Sequence, residues 1–174
     1  MSDKFGLKKF IRKVNDFPIE GIVFRDITSL IETPEAFVNT CEQLTRLTKS
    51  FNANAIASIE SRGFIFAGSI AKDLSLPFIL ARKPGKLPGK IISQSYDTEY
   101  SSDKLSLQIG TGSVVIVDDV LATGGTLATV DKLCFSAGYN VQNHLVLIDL
   151  KYVPRSNYYL ETKIKTLKSL ISYE

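Results

Sequence analysis

The stretch from Val114 to Val130, VVIVDDVLATGGTLATV, constrains this chain more than any other. Four apolar residues run into two adjacent aspartates, then into small residues and a pair of glycines. A continuous apolar run of this kind reads as a strand covered on both faces, the signature of a parallel sheet sandwiched by helices. NAIASIE (54–60), LPFILARK (76–83) and NVQNHLVLIDL (140–150) are runs of the same type. Between them the spacing turns helical, with Phe64, Ala67, Ile70, Ala71 and Leu74 on one stripe, and with Gly125 to Ala137 stopped by Gly138. The pattern predicts an α/β fold, a doubly wound and mostly parallel central sheet flanked by helices. Upstream, it predicts a short helix over 4–13, an extended hook over 14–31, and a helix from Thr33-Pro34 to Ser50 with proline at its first position.

At 174 residues the chain is expected to be a single domain, 1–174, and its 44% hydrophobic content is enough for a core. A formal charge of +3, with basic residues scattered, fits an anionic small molecule better than nucleic acid. No apolar run reaches the length of a membrane span and the N-terminus lacks an apolar signal core, so a cytoplasmic protein is expected. Cys41 and Cys134 lie in helical apolar patterns and read as reduced core residues. His144, the one histidine, lies in an apolar strand and reads as a core residue. With it alone, neither a zinc cluster nor a Ser/His/Asp triad can be assembled.

Ligands of doubly wound sheets sit beyond the carboxyl ends of the strands. That rule selects Glu60-Ser61-Arg62-Gly63, the stretch from Arg82 onward, and Asp118 to Thr126. In the last of these, Ala122, Thr123, Gly124, Gly125 and Thr126 mark a strand-to-helix turn, where free amides and the helix dipole favour an anion. Glycine lets a phosphate come close to the backbone. Asp118 and Asp119 cannot hold that phosphate, but they suit hydroxyl groups or, through water, a divalent cation. A ribose 5-phosphate satisfies both halves. There is no GxxxxGK[ST] motif, and GTGSVV leads into a strand instead of out of one, so a P-loop or dinucleotide site is not expected.

VVIVDDVLATGGT resembles the phosphoribosyl pyrophosphate (PRPP) signature of type I phosphoribosyltransferases, and LATGGT resembles the adenine branch of that family. Three further segments are similar to it: FPIEGIVFRDI (17–27), ESRGF (60–64), and RKPGKLPG with SYDTEY (82–89 and 95–100). The resemblance implies a base-binding hook over 1–33, in which Phe24 stacks on adenine while the main chain of Val23 and Arg25 reads its edge. It implies a pyrophosphate loop at Ser61 and Arg62, with a cis peptide between Glu60 and Ser61. It also implies a lid over 83–104, with Arg82, Lys83 and Lys86 near the pyrophosphate and Glu99 and Tyr100 supplied from the lid. Glu99 is then the candidate for proton handling on the purine. The implied reaction is adenine plus PRPP to AMP plus pyrophosphate, with Mg²⁺ held mainly by substrate and water, in a homodimer whose partner approaches near Arg82. One departure stands out: SSDKLSLQIGTGSVVIV (101–117) is about four residues shorter than the family's usual connection, lacking a surface helical turn. Two other readings remain open at this point, transfer to another nucleobase and a PRPP-sensing regulator without chemistry. Only about 16 residues precede the FPIEGIVFRDI segment, too few for a helix-turn-helix module.

Overall fold

Each long apolar run becomes a strand of one parallel sheet, because its alternate side chains have apolar partners on opposite faces. In the computed structural model, which describes residues 5–97, 102–162 and 166–174, the elements follow in order. A 3-10 turn (Leu7–Phe10) leads to β1 (Arg12–Asn15), β2 (Val23–Asp26), α1 (Thr28–Glu32), α2 (Pro34–Thr48), β3 (Ala55–Ile59) and α3 (Gly63–Leu74). Then come β4 (Phe78–Ala81), β5 (Ile91–Asp97), β6 (Ser102–Gln108), β7 (Gly112–Leu121) and α4 (Gly125–Ser136). The chain finishes with β8 (Tyr139–Leu150), α5 (Ser156–Glu161) and β9 (Leu167–Tyr173). The central sheet has the order β4-β3-β7-β8-β9 and is parallel throughout.

Val115 and Val117 of β7 face Leu44 of α2 and Phe66 and Ile70 of α3, whereas Val114 and Ile116 face Leu127, Val130 and Cys134 of α4. Both faces of the strand from Val114 to Val117 meet apolar side chains, which is why it shows no polar alternation until Asp118. Cys41 and Cys134 are free and buried, one in each layer. Leu105 and Leu107 of β6 complete the α4 layer, so the β5–β6 hairpin is part of the core wall.

Two features of this topology create a crevice. The connection through α3 carries the chain from β3 outward to β4, and the connection through α4 carries it from β7 the opposite way, to β8. The order therefore reverses between β3 and β7, the place where ligands bind in such sheets. In addition, β3 pairs with β7 only as far as Ser58 opposite Val117, while β7 continues beside β8 to Leu121 opposite Asp149. Asp118 and Asp119 thus lie on strand that has lost one neighbour.

Three elements differ from the sequence expectation. Over the described residues, the helix predicted over 4–13 is one 3-10 turn followed by β1, because only Leu7 and Ile11 there are buried and the next residues pair with β2. A short helix, α1, closes the hook: the Asp26 carboxylate accepts from the Thr28 amide (2.9 Å) and hydroxyl (2.6 Å) and starts the turn. The stretch 91–108, expected in part as lid, contains the paired strands β5 and β6. Among the described residues no helix is long and apolar enough to cross a membrane.

Candidate active site

The floor of the crevice is made by close approach of two strand ends. The Ser58 hydroxyl donates to the Val117 carbonyl (2.6 Å). α3 starts directly above, and a Cβ on Gly63 would stand 2.7 Å from both Asp118 Oδ1 and Ser58 Oγ. Glycine at 63 is what lets the helix terminus sit on the aspartate. Burial, and then the neighbouring Asp119 charge, push the Asp118 carboxyl well above its ordinary value. Burial also raises Asp119, against the pull of Arg62, whose Nη2 lies 2.7 Å from Asp119 Oδ2. The Glu60–Ser61 peptide is cis, as the resemblance implies.

Beyond Asp119 the chain turns into α4. Gly124 holds the helix entrance in the left-handed region (φ 83°), and the first helical bond runs from the Ala128 amide to the Gly124 carbonyl (2.9 Å). The amides of Gly125, Thr126 and Leu127 are then first-turn donors without intrahelical acceptors. Thr123 is exposed and Thr126 half-buried at the same turn.

At the rim, Glu60 gathers the cations. Its carboxylate accepts from Arg82 Nε (2.9 Å), Lys86 Nζ (2.7 Å) and the Lys83 amide (3.3 Å). The hydrogen bond from Lys86, followed by that from Arg82, holds the Glu60 carboxyl below its ordinary value despite partial desolvation. Arg82 is itself seated by a two-way main-chain bridge to Ser106 of β6. Glu60 as organiser of these cations is not among the sequence expectations, although a carboxylate at a strand end with three basic residues at the next strand end is a signal for it.

The hook forms the opposite wall. β1 and β2 pair antiparallel, with Val14 opposite Phe24 and Asn15 opposite Val23, and their turn is pinned by the Gly21 amide donating to Asp16 Oδ1 (2.8 Å). Phe17 meets Phe24 edge-on at 5.0 Å, and the Arg25 guanidinium lies over the Tyr173 ring at 3.7 Å. Arg62 reaches across, its guanidinium 4.8 Å from the Phe24 ring centre. Val23 and Arg25, two apart on one strand, present their main-chain groups on the same edge.

A cleft of about 600 Å³ joins these parts: Val23, Phe24, Arg25, Ser61, Arg62, Lys83, Asp118, Asp119, Ala122 and Thr126 all line it. Arg82 and Lys86 are drawn to its rim through Glu60, and Thr123, Gly124 and Gly125 complete the turn below it. Glu99 and Tyr100 lie outside the described residues. Phe24 and Arg62 also line an apolar groove behind the hook, so they form the wall between two cavities.

A crevice at the sheet reversal, with paired aspartates leading into an amide-rich turn, defines a class of site suited to a ligand that carries both hydroxyl groups and an anion. The family model for the phosphoribosyl transferase domain matches residues 36–141. The chain is 46% identical over 172 residues to the adenine phosphoribosyltransferase of Thermosipho melanesiensis, covering 96% of each. Its fold is similar to the crystal structure of adenine phosphoribosyltransferase from Thermoanaerobacter pseudethanolicus (TM-score 0.87, 36% identity, 96% of this chain and 98% of that one). It is likewise similar to the APRTase of Giardia lamblia solved with 9-deazaadenine (TM-score 0.89, 32% identity, 100% and 99% covered). The chain belongs to the phosphoribosyltransferase family, among the adenine phosphoribosyltransferases.

Proposed function

We propose that this protein transfers the phosphoribosyl group of PRPP to adenine, forming AMP and pyrophosphate in purine salvage. The observation that carries the reading is the single cleft in which Phe24, the Asp118-Asp119 pair and the turn from Ala122 to Thr126 meet. Such a cleft supports a base, a ribose and a 5-phosphate held in sequence. Asp118 and Asp119 accept from the ribose hydroxyls, and the first-turn amides of α4 with Thr123 and Thr126 donate to the 5-phosphate. Phe24 stacks on the purine. The main chain of Val23 and Arg25 accepts from the exocyclic amine and donates to the adjacent ring nitrogen, so a 6-oxopurine leaves buried groups unpaired.

Chemistry then requires the bond from the anomeric carbon to pyrophosphate to break while the bond to the purine nitrogen forms. The sugar gains cationic character and the leaving group negative charge. Ser61, Arg62, Arg82, Lys83 and Lys86 stabilise the pyrophosphate, and Glu99 accepts the purine proton. For Lys86 and Arg82 this means exchanging the Glu60 carboxylate for a phosphate oxygen. Tyr100 and the rest of 83–104 act as the lid that excludes water from the reacting carbon.

Phosphoribosyltransferases generally use Mg²⁺ with PRPP. Among the described residues no cluster of three or more potential ligands is assembled. The two cleft carboxylates fit a hard cation that keeps its waters and its phosphate ligands. When bound, Mg²⁺ supplies charge neutralisation at the pyrophosphate, with Asp118 and Asp119 the residues that would hold it through water. A homodimer, a cytoplasmic location and a single 1–174 domain remain part of this proposal.

The test is nucleotide formation from PRPP and Mg²⁺ with adenine, hypoxanthine, guanine, xanthine, uracil and orotate in parallel. AMP from adenine alone is expected. A product from another base would overturn the role of the hook. PRPP binding without any product would favour the regulator reading.

A further inference from the structure

The proposed reaction leaves unused a polar cluster buried behind the phosphate turn. His144, on β8, is fully buried, with Nδ1 2.7 Å from the Tyr158 hydroxyl and Nε2 3.2 Å from Asp131 Oδ1. Asp131 projects from α4 and Tyr158 from α5, and they are 2% and 1% exposed. With the Asp131 carboxylate oxygen as acceptor, Nε2 is assigned as the donor and Nδ1 accepts from the tyrosine hydroxyl. These three polar groups meet beside a largely apolar layer, where packing alone does not call for them. A network of this kind earns its place by holding one arrangement.

What it holds is the floor under Gly124. A Cβ added at Gly124 would stand 2.7–2.8 Å from Cβ, Cγ and Cδ2 of Tyr158, so the tyrosine side chain packs directly on the glycine backbone. Gly124 opens α4 and sets the direction of the amides that follow it. α5, which carries Tyr158, is anchored at its start by the buried Arg155–Asp149 ion pair (2.7 Å) and near its end by Lys132–Glu161 (2.9 Å). The tyrosine is thus held at its backbone by α5 and at its hydroxyl by His144.

We propose that Asp131, His144 and Tyr158 are positioning residues for the 5-phosphate end of the site: the network seats the Tyr158 ring under Gly124 and so aims the amides of Gly125, Thr126 and Leu127 at one point. This rests on the reading of that turn as the phosphate cradle. The network touches neither the hook nor the residues that face the base, so it acts on sugar-phosphate binding and not on adenine.

The test compares Tyr158→Phe, His144→Leu and His144→Asn, the last keeping an amide near the position of Nδ1. KM for PRPP, KM for adenine and the Kd of ribose 5-phosphate are measured for each, with thermal melts to establish folding. Tyr158→Phe and His144→Leu are expected to raise KM for PRPP and the Kd of ribose 5-phosphate roughly three- to tenfold, the loss of one buried hydrogen bond, with KM for adenine within about twofold. His144→Asn is expected to lie nearer the unmodified protein than His144→Leu. If KM for adenine rises in step with KM for PRPP, or if folded variants bind ribose 5-phosphate as the unmodified protein does, the network is structural only and the inference fails. Should His144→Leu not fold, Tyr158→Phe, which deletes one oxygen, decides the matter. No binding of ribose 5-phosphate by the unmodified protein would overturn the cradle reading and this inference with it, whereas binding that the variants leave unchanged would overturn this inference alone.

Discussion

The floor of the cleft and the hook that faces it are held by different physics. Asp118 and Asp119 sit on a ten-residue strand in a five-stranded parallel sheet, with helices packed on both faces. The hook is a four-residue antiparallel pair whose strands are half-buried or exposed and whose tip, Phe17, is 50% exposed. A lone two-stranded ribbon is only marginally stable in water. Its order comes from side-chain contacts: the Arg12–Asp26 bridge (2.6 Å), Phe17 on Phe24, and Arg25 on Tyr173. Charge chemistry at the anomeric carbon needs donors and acceptors placed to within a fraction of an ångström, and sheet register supplies that. Choosing a base needs an adaptable wall that can close on a flat ring, and the hook supplies that.

If this division is right, damage to the floor should abolish chemistry and leave the fold intact. Replacing both Asp118 and Asp119 by Asn is expected to lower kcat/KM by at least about 100-fold, the scale of losing preorganised charge at a reacting centre. Stability should move the other way. The Asp118 carboxyl is raised above its ordinary 3.8 by burial, so the folded state binds its proton more tightly than the unfolded chain. Stability therefore falls as pH rises from about 3.8 through the raised value, and Asn removes that cost. Thermal melts should show the double variant at least as stable as the unmodified protein at pH 7, with the advantage gone near pH 4. A large loss of stability at pH 7 would mean that the pair is structural.

The complementary change, Phe24→Ala, should act on the base half alone. Loss of an aromatic stacking surface is expected to lower kcat/KM for adenine roughly 10- to 100-fold, with little effect on the Kd of ribose 5-phosphate. Equal losses at both ends would break the division into two halves. The smallest effect is expected at the rim. Glu60 is held below its ordinary 4.5 by Lys86 and Arg82, so its stabilising contribution is present above that value and lost as pH falls through the depressed one. Glu60→Gln should lower the melting temperature by a few degrees at pH 7, and the difference should close in acid.

The floor was legible in the chain and the hook's support was not, for one reason. VVIVDD carries its environment in its composition, since a strand apolar on both faces has to be covered on both. α2, α3, α4 and four of the sheet strands follow the same logic, with Pro34 opening α2 and Gly138 following the end of α4. β1, by contrast, reads RKVN and exists because β2 lies beside it. The β5–β6 hairpin was obscured by the prolines and glycines before it and by a strand face that finds its partner only in α4. The ESRGF motif points to Arg62, but its reach to Asp119 and across Phe24 belongs to the assembled cleft.

Taken alone, the amino-acid order determined the parallel sheet, the strand that delivers two aspartates to its carboxyl end, and the glycine turn that follows. These are local decisions, made by the period of apolar residues and by where glycine is required. Only the tertiary structure decided that the pairing of β3 with β7 ends one step short of Asp118, that Glu60 gathers Arg82 and Lys86, and that Tyr173 from the last strand steadies Arg25 in the hook. It also decided that a tyrosine 34 positions after Gly124 lies beneath it, tied to His144. Contacts between residues distant in sequence leave no periodic trace in the chain, because each depends on how whole elements are stacked.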